Sequence, residues 1–398
     1  TIRRLNAQRD GIILPNKPDF NLMDGLNFNI TGGGDEWAYL GVFYRFNYAY
    51  DGKYLLELNG RYDGSSRLPV EQRFGFFPSV SAGWVVSNES FFQDAKPLLS
   101  NLKFRASYGS LGNGNVAPYR YLEQMSVAKT SVILGGVQPS YTAIPGVIPA
   151  GLTWERSTTF NVGADLGFFD NALNFTFDWY NRMTYDMFTV GEPLPNVFGA
   201  AVPYGNFADL STKGWELTVN YNNQFELSGK PFNWGINGSL WDSRSHITRF
   251  NNPKKLLSNY YVGQEIGEIW GYETLGFFTS DEDVARHADQ SFIRNSNNNV
   301  WLPGDLKFAD LPNANGEVDN VINNGDNTVE NPGDRRIIGN NSPRYQFGFT
   351  LSGRWNGIGL SAFFQGIGKR DYYFSPEAGL FWGPYNRPYG YQPTKMMN

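Results

Sequence analysis

NALNFTFDWYNRMTYDMF, residues 171–188, alternates large apolar side chains with polar ones. In an extended chain, successive side chains point to opposite faces of a sheet. One face of this stretch therefore carries Leu173, Phe175, Phe177 and Trp179, and the other carries Asn174, Thr176, Asp178, Tyr180 and Arg182. A soluble sheet with one face on a core fits this pattern. A membrane barrel with lipid outside and water inside fits it as well.

The composition excludes several classes of function. The chain of 398 residues has a formal net charge of -5, with 16% aromatic and 18% charged residues. A mildly acidic chain lacks the basic footprint of a nucleic-acid-binding protein, so no nucleic-acid partner is expected. There is no cysteine, which excludes disulfides and thiolate chemistry, and the two histidines, His246 and His287, form no pair in the sequence.

Catalytic motifs are also missing from the sequence. No GxSxG, HExxH or phosphate-binding glycine loop occurs, so the chain is predicted not to be an enzyme and no cofactor is expected. A glycoside hydrolase needs only two acidic groups. A soluble extracellular carbohydrate-active or carbohydrate-binding β protein therefore stays open as the alternative.

The alternating pattern of residues 171–188 recurs along the chain and predicts about ten strands. The other runs are 40–50, 54–62, 78–87, 101–110, 158–168, 214–222, 232–241, 344–355 and 358–366. Helical periodicity is confined to short stretches near 89–99 and 281–290. No run of about 18 apolar residues predicts a transmembrane helix.

The connections alternate between short and long. Tight turns are predicted at 50–53, 168–173, 223–233 and 355–359, and long loops at 113–152, 189–210 and 248–343. In an antiparallel meander every second connection lies at the same edge. The chain is therefore predicted to be an all-β, up-and-down transmembrane barrel segment, residues 1–398, with short periplasmic turns and long extracellular loops. A soluble β-sandwich or jelly roll is the alternative fold.

Several runs carry a family resemblance. They are YLLELNGRYDGSSRL from residue 54, FGFFPSVSAGWVVSNESFF from 74, NLKFRASYGSLGN from 101, VGQEIGEIWGYETLGFFTSDEDV from 262 and GDRRIIGNNSPRYQFGFTLSGRWNGIGLSAFFQG from 333. Their order over residues 39–372 is similar to that of SusC/RagA-type TonB-dependent outer-membrane transporters of Bacteroidetes-like bacteria. Such transporters resemble a barrel of about twenty-two strands closed around an N-terminal plug. The chain is expected to be a central-to-late part of such a barrel, without the plug, TonB box or closing strands.

The resemblance implies a function and partners. It implies active import of large nutrients, oligosaccharides or peptides, across the bacterial outer membrane. The barrel would contact outer-membrane lipid, a SusD-like lipoprotein would cap the long-loop end, and the TonB system would supply energy. A passive porin is the second alternative.

The polar face of the strands supplies candidate substrate contacts. Lumen-facing charges predicted from the alternation are Arg45, Glu57, Arg61, Arg105, Asp165, Asp178, Arg182, Glu216, Arg344 and Arg354. A wall with both signs of charge suits a neutral polar ligand better than one type of ion. Arg105, Asp178 and Arg182 are the candidate ligand contacts. The alternative is that these groups bond to a plug or to each other.

The longest loop supplies two further candidates. The aromatic residues Trp270, Tyr272, Phe277 and Phe278 would stack on sugar rings, or would pack within the loop or on a lipoprotein. The oxygen-rich run 310–320 holds Asp310, Asn313, Asn315 and Asp319. It departs from the calcium-loop template because Leu311 would occupy the first ligand position. An Asn/Gly turn is therefore expected there and no metal is favoured, with calcium bound by these four residues as the weaker alternative.

Overall fold

The computed structural model describes residues 2–10, 23, 28–143, 145–148, 151–191, 194–293, 300–313 and 315–373. The C-terminal residues 374–398, which belong to the predicted barrel segment, lie outside the described residues. In the described part, no helix combines the length and the apolar character that crossing a membrane requires.

The described residues form eighteen strands and one short α-helix. The strands are β1 Ile2–Arg9, β2 Phe28–Asp35, β3 Tyr39–Tyr50, β4 Tyr54–Ser65, β5 Phe74–Val85, β6 Leu99–Asn113, β7 Val127–Lys129, β8 Ser140–Thr142, β9 Glu155–Phe168, β10 Leu173–Val190, β11 Tyr204–Leu227, β12 Lys230–Arg249, β13 Glu268–Tyr272, β14 Thr274–Phe277, β15 Leu306–Phe308, β16 Arg335–Asn340, β17 Arg344–Trp355 and β18 Ile358–Lys369; the helix is α1, Asp281–Arg286.

One ten-stranded sheet dominates the structure. Its strand order is β18-β17-β12-β11-β10-β9-β6-β5-β4-β3, and every neighbouring pair is antiparallel. These are the ten strands predicted from the alternating runs, so the predicted all-β meander is confirmed. β3 and β18 lie at the two ends and do not pair with each other among the described residues. The described part of the sheet is therefore open at both ends.

The register aligns apolar side chains on one face of this sheet. Phe177 in β10 lies opposite Leu217 in β11 and Ala164 in β9, and Trp179 lies opposite Trp215. This apolar face is exposed: the Phe177 side chain, for example, has 41% of its surface accessible. Other exposed members of the face are Tyr44, Leu58, Val80, Tyr108, Val162, Ile236, Phe349 and Leu360. An exposed apolar surface that runs across so many strands exceeds the patches of soluble monomers and fits contact with lipid.

The two edges of the sheet differ as predicted. One edge has the tight turns 51–53, 169–172, 228–229 and 356–357 and the longer connection 86–98, whereas the other has the connection 66–73 and the long connections 114–154, 191–203 and 250–343. The turn predicted at 223–233 is only two residues long, because β11 and β12 remain paired up to Leu227 and Lys230. Ser228 and Gly229 have φ of 52° and 71°, as a tight hairpin turn requires. The loop predicted at 189–210 is shorter for the same reason, since β10 and β11 extend into it.

The strands are longer than the ten or so residues predicted. β10, β11 and β12 have 18, 24 and 20 residues, whereas about 9–11 residues cross a bilayer. These three strands therefore extend beyond the apolar face at the long-loop edge.

The long connections contain small sheets of their own. β7 pairs with β8, β13 with β16, and β14 with β15. Helix α1 is capped at its N-terminus by Ser280, whose hydroxyl accepts a hydrogen bond of 3.2 Å from the Asp283 backbone N–H. The short helices predicted near 89–99 and 281–290 are confirmed, the first as a 3-10 segment at Ser90–Ala95. The pair β1 and β2 was not predicted.

Candidate transport wall and rim

An ion-pair cluster lies on the polar face, where three neighbouring strands meet. Arg105 of β6 donates two hydrogen bonds to Asp165 of β9, of 2.9 and 3.1 Å. It donates two more to Asp178 of β10, of 3.1 and 2.9 Å. The three side chains are 20% to 30% exposed. The structure therefore brings together two predicted contact residues, Arg105 and Asp178. The hydrogen-bonding groups of each already bind the other.

Gly163 makes room for this cluster. It lies directly opposite both Arg105 and Asp178 in the register of the sheet. A Cβ atom at this position would be 2.5 Å from Asp178 Oδ1, 2.9 Å from Arg105 Nη2 and 3.0 Å from the Phe177 carbonyl oxygen. The Arg105 guanidinium and the Asp178 carboxylate thus meet over β9 at Gly163, which has no side chain to separate them. The alternation identified the charged residues, but it gave no signal for this glycine.

We expect Gly163→Ala to destabilise the barrel by about 1–3 kcal/mol, because the added methyl group must push the ion pair aside or shift the backbone. The matched control is Gly238→Ala, since a Cβ atom there would meet only Phe349 Cβ, at 3.8 Å. The measurement is the temperature at which the full-length protein loses its folded migration in detergent electrophoresis. Equal midpoints for the two variants would contradict the role of Gly163.

Other charges of the wall also form local pairs. Arg45 binds Glu57 at 2.5 Å, and Arg61 binds Asp63 at 3.1 Å. Arg182, the third predicted contact residue, makes no ion pair within the described residues; its Nε lies 3.4 Å from Thr159 Oγ1. Of the three predicted contacts, Arg182 is therefore the one whose charge stays available to a ligand.

The predicted lumen position of Arg344 is wrong. Arg344 binds Asp242 through two contacts of 2.5 Å. Asp242 lies opposite Trp215 in the register, and Trp215 belongs to the apolar face. The alternation fails here because the backbone of Tyr345 adopts a φ of 52°, which interrupts the regular pleat next to Arg344.

The four aromatic residues predicted as ligand contacts in the longest loop, Trp270, Tyr272, Phe277 and Phe278, have different environments. Phe278 is 3% exposed and packs edge-to-face on His287 at 5.3 Å, so it belongs to the interior of the loop. Tyr272 packs on Phe308 at 5.7 Å, and the Trp270 indole N–H lies 3.3 Å from the Tyr261 hydroxyl oxygen. Phe277 is 64% exposed. The structure does not gather the four rings into one surface.

Tyr261 anchors the base of this loop. It is 5% exposed, and its hydroxyl donates a hydrogen bond of 2.5 Å to Glu268. Burial, together with this hydrogen bond, raises the pKa of Tyr261 to about 12. No sequence pattern predicts this pair, because both residues lie in a region without periodicity.

The Tyr261 pKa predicts a loss of stability at high pH. In the unfolded chain the hydroxyl ionises near its ordinary pKa of 10.0, whereas in the folded loop it stays neutral up to about 12. The stabilisation is thus complete below pH 10 and declines as the pH rises from 10 to 12. Melting of the full-length protein across this range should show a steeper decline for wild type than for Tyr261→Phe. Parallel curves would contradict the prediction.

Three residues of the weaker calcium alternative accept hydrogen bonds from backbone N–H groups. Asn313 Oδ1 accepts from the backbone N–H groups of Asn315 and Glu317, at 2.9 and 3.2 Å. Asp310 Oδ2 accepts from Asn320 and Asp319 Oδ1 from Val321. Where the chain is described, no group of three or more His, Cys, Asp or Glu side chains is placed to hold a metal ion. The geometry is that of the Asn/Gly turn favoured from the sequence.

Comparison with known proteins identifies the family of this wall. Residues 3–391 match the family model described as TonB dependent receptor-like, beta-barrel. The chain belongs to this family. The ten-stranded sheet is accordingly part of a barrel in the bacterial outer membrane, and the family is one of transporters, not enzymes. The predicted fold, location and non-enzymatic class are confirmed.

Curated relatives cover most of the chain. TonB-dependent receptor P3 of Formosa agariphila is 28% identical over 344 residues, which are 83% of this chain and 32% of that protein. TonB-dependent receptor SusC of Bacteroides thetaiotaomicron is 31% identical over 223 residues, 55% of this chain and 22% of SusC. The chain thus spans about a third of the length of the first relative.

A solved structure supports the same fold. The structure of the RagAB peptide transporter matches with a TM-score of 0.62 and 22% identity, over 89% of this chain and 35% of that chain. The family model and the similarity to SusC, together with this shared fold, confirm the resemblance to SusC/RagA-type proteins predicted from the sequence runs.

Proposed function

We propose that residues 1–398 form part of the barrel of an active importer of large polar nutrients, either oligosaccharides or peptides. A SusD-like lipoprotein covers the long-loop rim, and the TonB system supplies energy through an N-terminal plug. Similarity to SusC and to the RagAB peptide transporter supports this assignment. Similarity to these two proteins does not distinguish oligosaccharides from peptides as the cargo.

The single observation that carries the proposal is the pairing of charges on the lumen wall. The Arg105 guanidinium binds the two carboxylates of Asp165 and Asp178, which leaves that cluster one negative charge in excess, and Arg45 binds Glu57 one to one. Paired charges offer hydrogen-bonding groups without a strong field of one sign, which suits a large, uncharged polar cargo. Among the candidate contacts, Arg182 on the wall and Phe277 on the rim remain accessible.

The experiment that tests this function is uptake by intact cells. Fluorescent oligosaccharides and peptides are offered to cells that carry the full-length protein, with and without a functional TonB system. We expect one class to accumulate only when TonB is present. Uptake that is equal in both strains would overturn active import and identify a passive porin. Copurification of a SusD-like lipoprotein tests the proposed lid separately.

The orientation of the barrel gives a further prediction. Residues 1–398 contain no cysteine, so single cysteines placed there in a full-length protein without other cysteines report accessibility directly. Lys129→Cys in the 114–154 loop should react with a membrane-impermeant maleimide on intact cells, and Glu226→Cys beside the 228–229 turn should not. Both residues are exposed in the structure. Permeabilised cells, in which both should react, are the control; labelling of Glu226→Cys on intact cells would reverse the orientation.

A further inference from the structure

On the outer face of the barrel, the side chains of β11 change from apolar to cationic between two successive outward positions. Going up β11 towards the long-loop edge, the outward positions are Val219, Leu217, Trp215 and then Lys213. Trp215 lies opposite Trp179 of β10, and Lys213 lies opposite Arg244 of β12. Tryptophan side chains are typical of the membrane–water interface. Two residues of a strand span about 7 Å, so Lys213 lies at the depth of the lipid headgroups.

Several cationic or titratable side chains share this position. An open cavity of about 290 Å³ on the outer face is lined by Trp179, Trp215, Lys213, Arg244, His246 and Arg344, together with the carboxylate of Asp242. This outer cationic cavity has two tryptophans on the side of the apolar face and the cationic groups on the side of the long loops. It is separate from the lumen wall, because its side chains point in the opposite direction from Asp178 and Glu216.

The charges of the outer cationic cavity are only partly balanced. Asp242 is fully engaged by Arg344. Glu265 faces Arg244 at 3.9 Å, His246 at 3.8 Å and Arg344 at 3.8 Å, distances longer than a direct hydrogen bond. Lys213 makes no ion pair in the described part of the chain, and the Arg244 side chain is 56% exposed. The cavity therefore carries an excess of positive charge that is open to an anion.

We propose that the outer cationic cavity binds the phosphate group of an anionic lipid in the outer leaflet. Lys213 and Arg244 would hold the phosphate oxygens, since ammonium and guanidinium groups are the donors that phosphate prefers. Trp179 and Trp215 would pack against the glycerol or sugar part of the headgroup and the start of its acyl chains. The depth of the cavity favours a lipid over a soluble anion, and the proposal rests on the long-loop edge facing the outer leaflet.

The test is lipid binding by the full-length protein in non-ionic detergent, followed by native mass spectrometry. The probe is diphosphorylated lipid A, compared with the same lipid after removal of its phosphates. We expect Lys213→Gln to weaken binding of the phosphorylated lipid about fivefold, and Lys213→Gln with Arg244→Gln to weaken it more than tenfold. The matched control removes two exposed loop charges, Lys254→Gln with Arg286→Gln, and should bind as wild type does.

The outcomes separate the possible sources of the anion. Lys213→Gln breaks no ion pair, so its folded migration in detergent electrophoresis should be unchanged. Loss of the phosphates should weaken binding to wild type but not to the double variant. Equal lipid affinity in wild type and the double variant would overturn the proposal. Displacement of the lipid by millimolar inorganic phosphate would also overturn it, because the cavity would then be a site for a free anion.

Discussion

Phe177→Arg should prevent normal assembly of the barrel in the outer membrane. Phe177 lies near the middle of the apolar face, between Leu217 and Ala164. A lipid-facing arginine near the bilayer midplane costs about 2–4 kcal/mol, a large fraction of the stability of a typical protein. The measurement is the amount of folded, heat-modifiable full-length protein in outer-membrane fractions.

The matched control is Thr176→Arg, one residue away on β10. Thr176 lies opposite Thr218 on the polar face, so the new guanidinium enters the wet lumen. We expect this variant to assemble close to the wild-type level. If Thr176→Arg reduces folded protein as much as Phe177→Arg, the two faces of the strand do not have opposite environments.

Arg105→Met should be the most damaging change on the lumen wall. It leaves Asp165 and Asp178 facing each other without their shared counter-ion, in side-chain environments that are 25% and 20% exposed. Breaking a buried pair costs about 3–5 kcal/mol, and the partial exposure here reduces the expected loss to about 2 kcal/mol. The melting temperature of the full-length protein should fall accordingly.

Two further variants separate charge from packing. Adding Asp165→Asn and Asp178→Asn to Arg105→Met should restore part of the lost stability, since no unpaired charge remains. Arg61→Met removes a pair whose arginine is 60% exposed, and it should cost at most about 1 kcal/mol. A loss for Arg61→Met as large as that for Arg105→Met would contradict the special role of the Arg105 cluster.

The sequence predicts the strands well because the physical signal is local. In residues 175–179 the apolar side chains of Phe175, Phe177 and Trp179 alternate with polar ones, and this pattern can be recognised without the rest of the chain. Strand ends are predicted less well. β11 and β12 continue up to the turn at Ser228 and Gly229 because they pair with each other, and pairing is not visible in either strand alone.

The candidate site is predicted only in part, for the same physical reason. Alternation assigns Arg105, Asp165 and Asp178 to one face, but their convergence depends on the register of three strands. The outer position of Arg344 depends on one backbone angle, at Tyr345. The packing of Phe278 depends on contacts made inside a loop of irregular structure. Each of these features is set by tertiary contacts, which composition and periodicity do not encode.

The most direct test of the account is the lipid exposure of β10. Single cysteines Phe175→Cys, Phe177→Cys and Thr176→Cys are labelled with a fluorophore in detergent, in a full-length protein without other cysteines, and are then reconstituted into vesicles. Quenchers attached to lipid acyl chains should quench the labels at 175 and 177 strongly and the label at 176 weakly, and a water-soluble quencher should show the reverse order. Labels at 175 and 177 that are unaffected by the lipid quenchers would contradict the assignment of this face to the membrane.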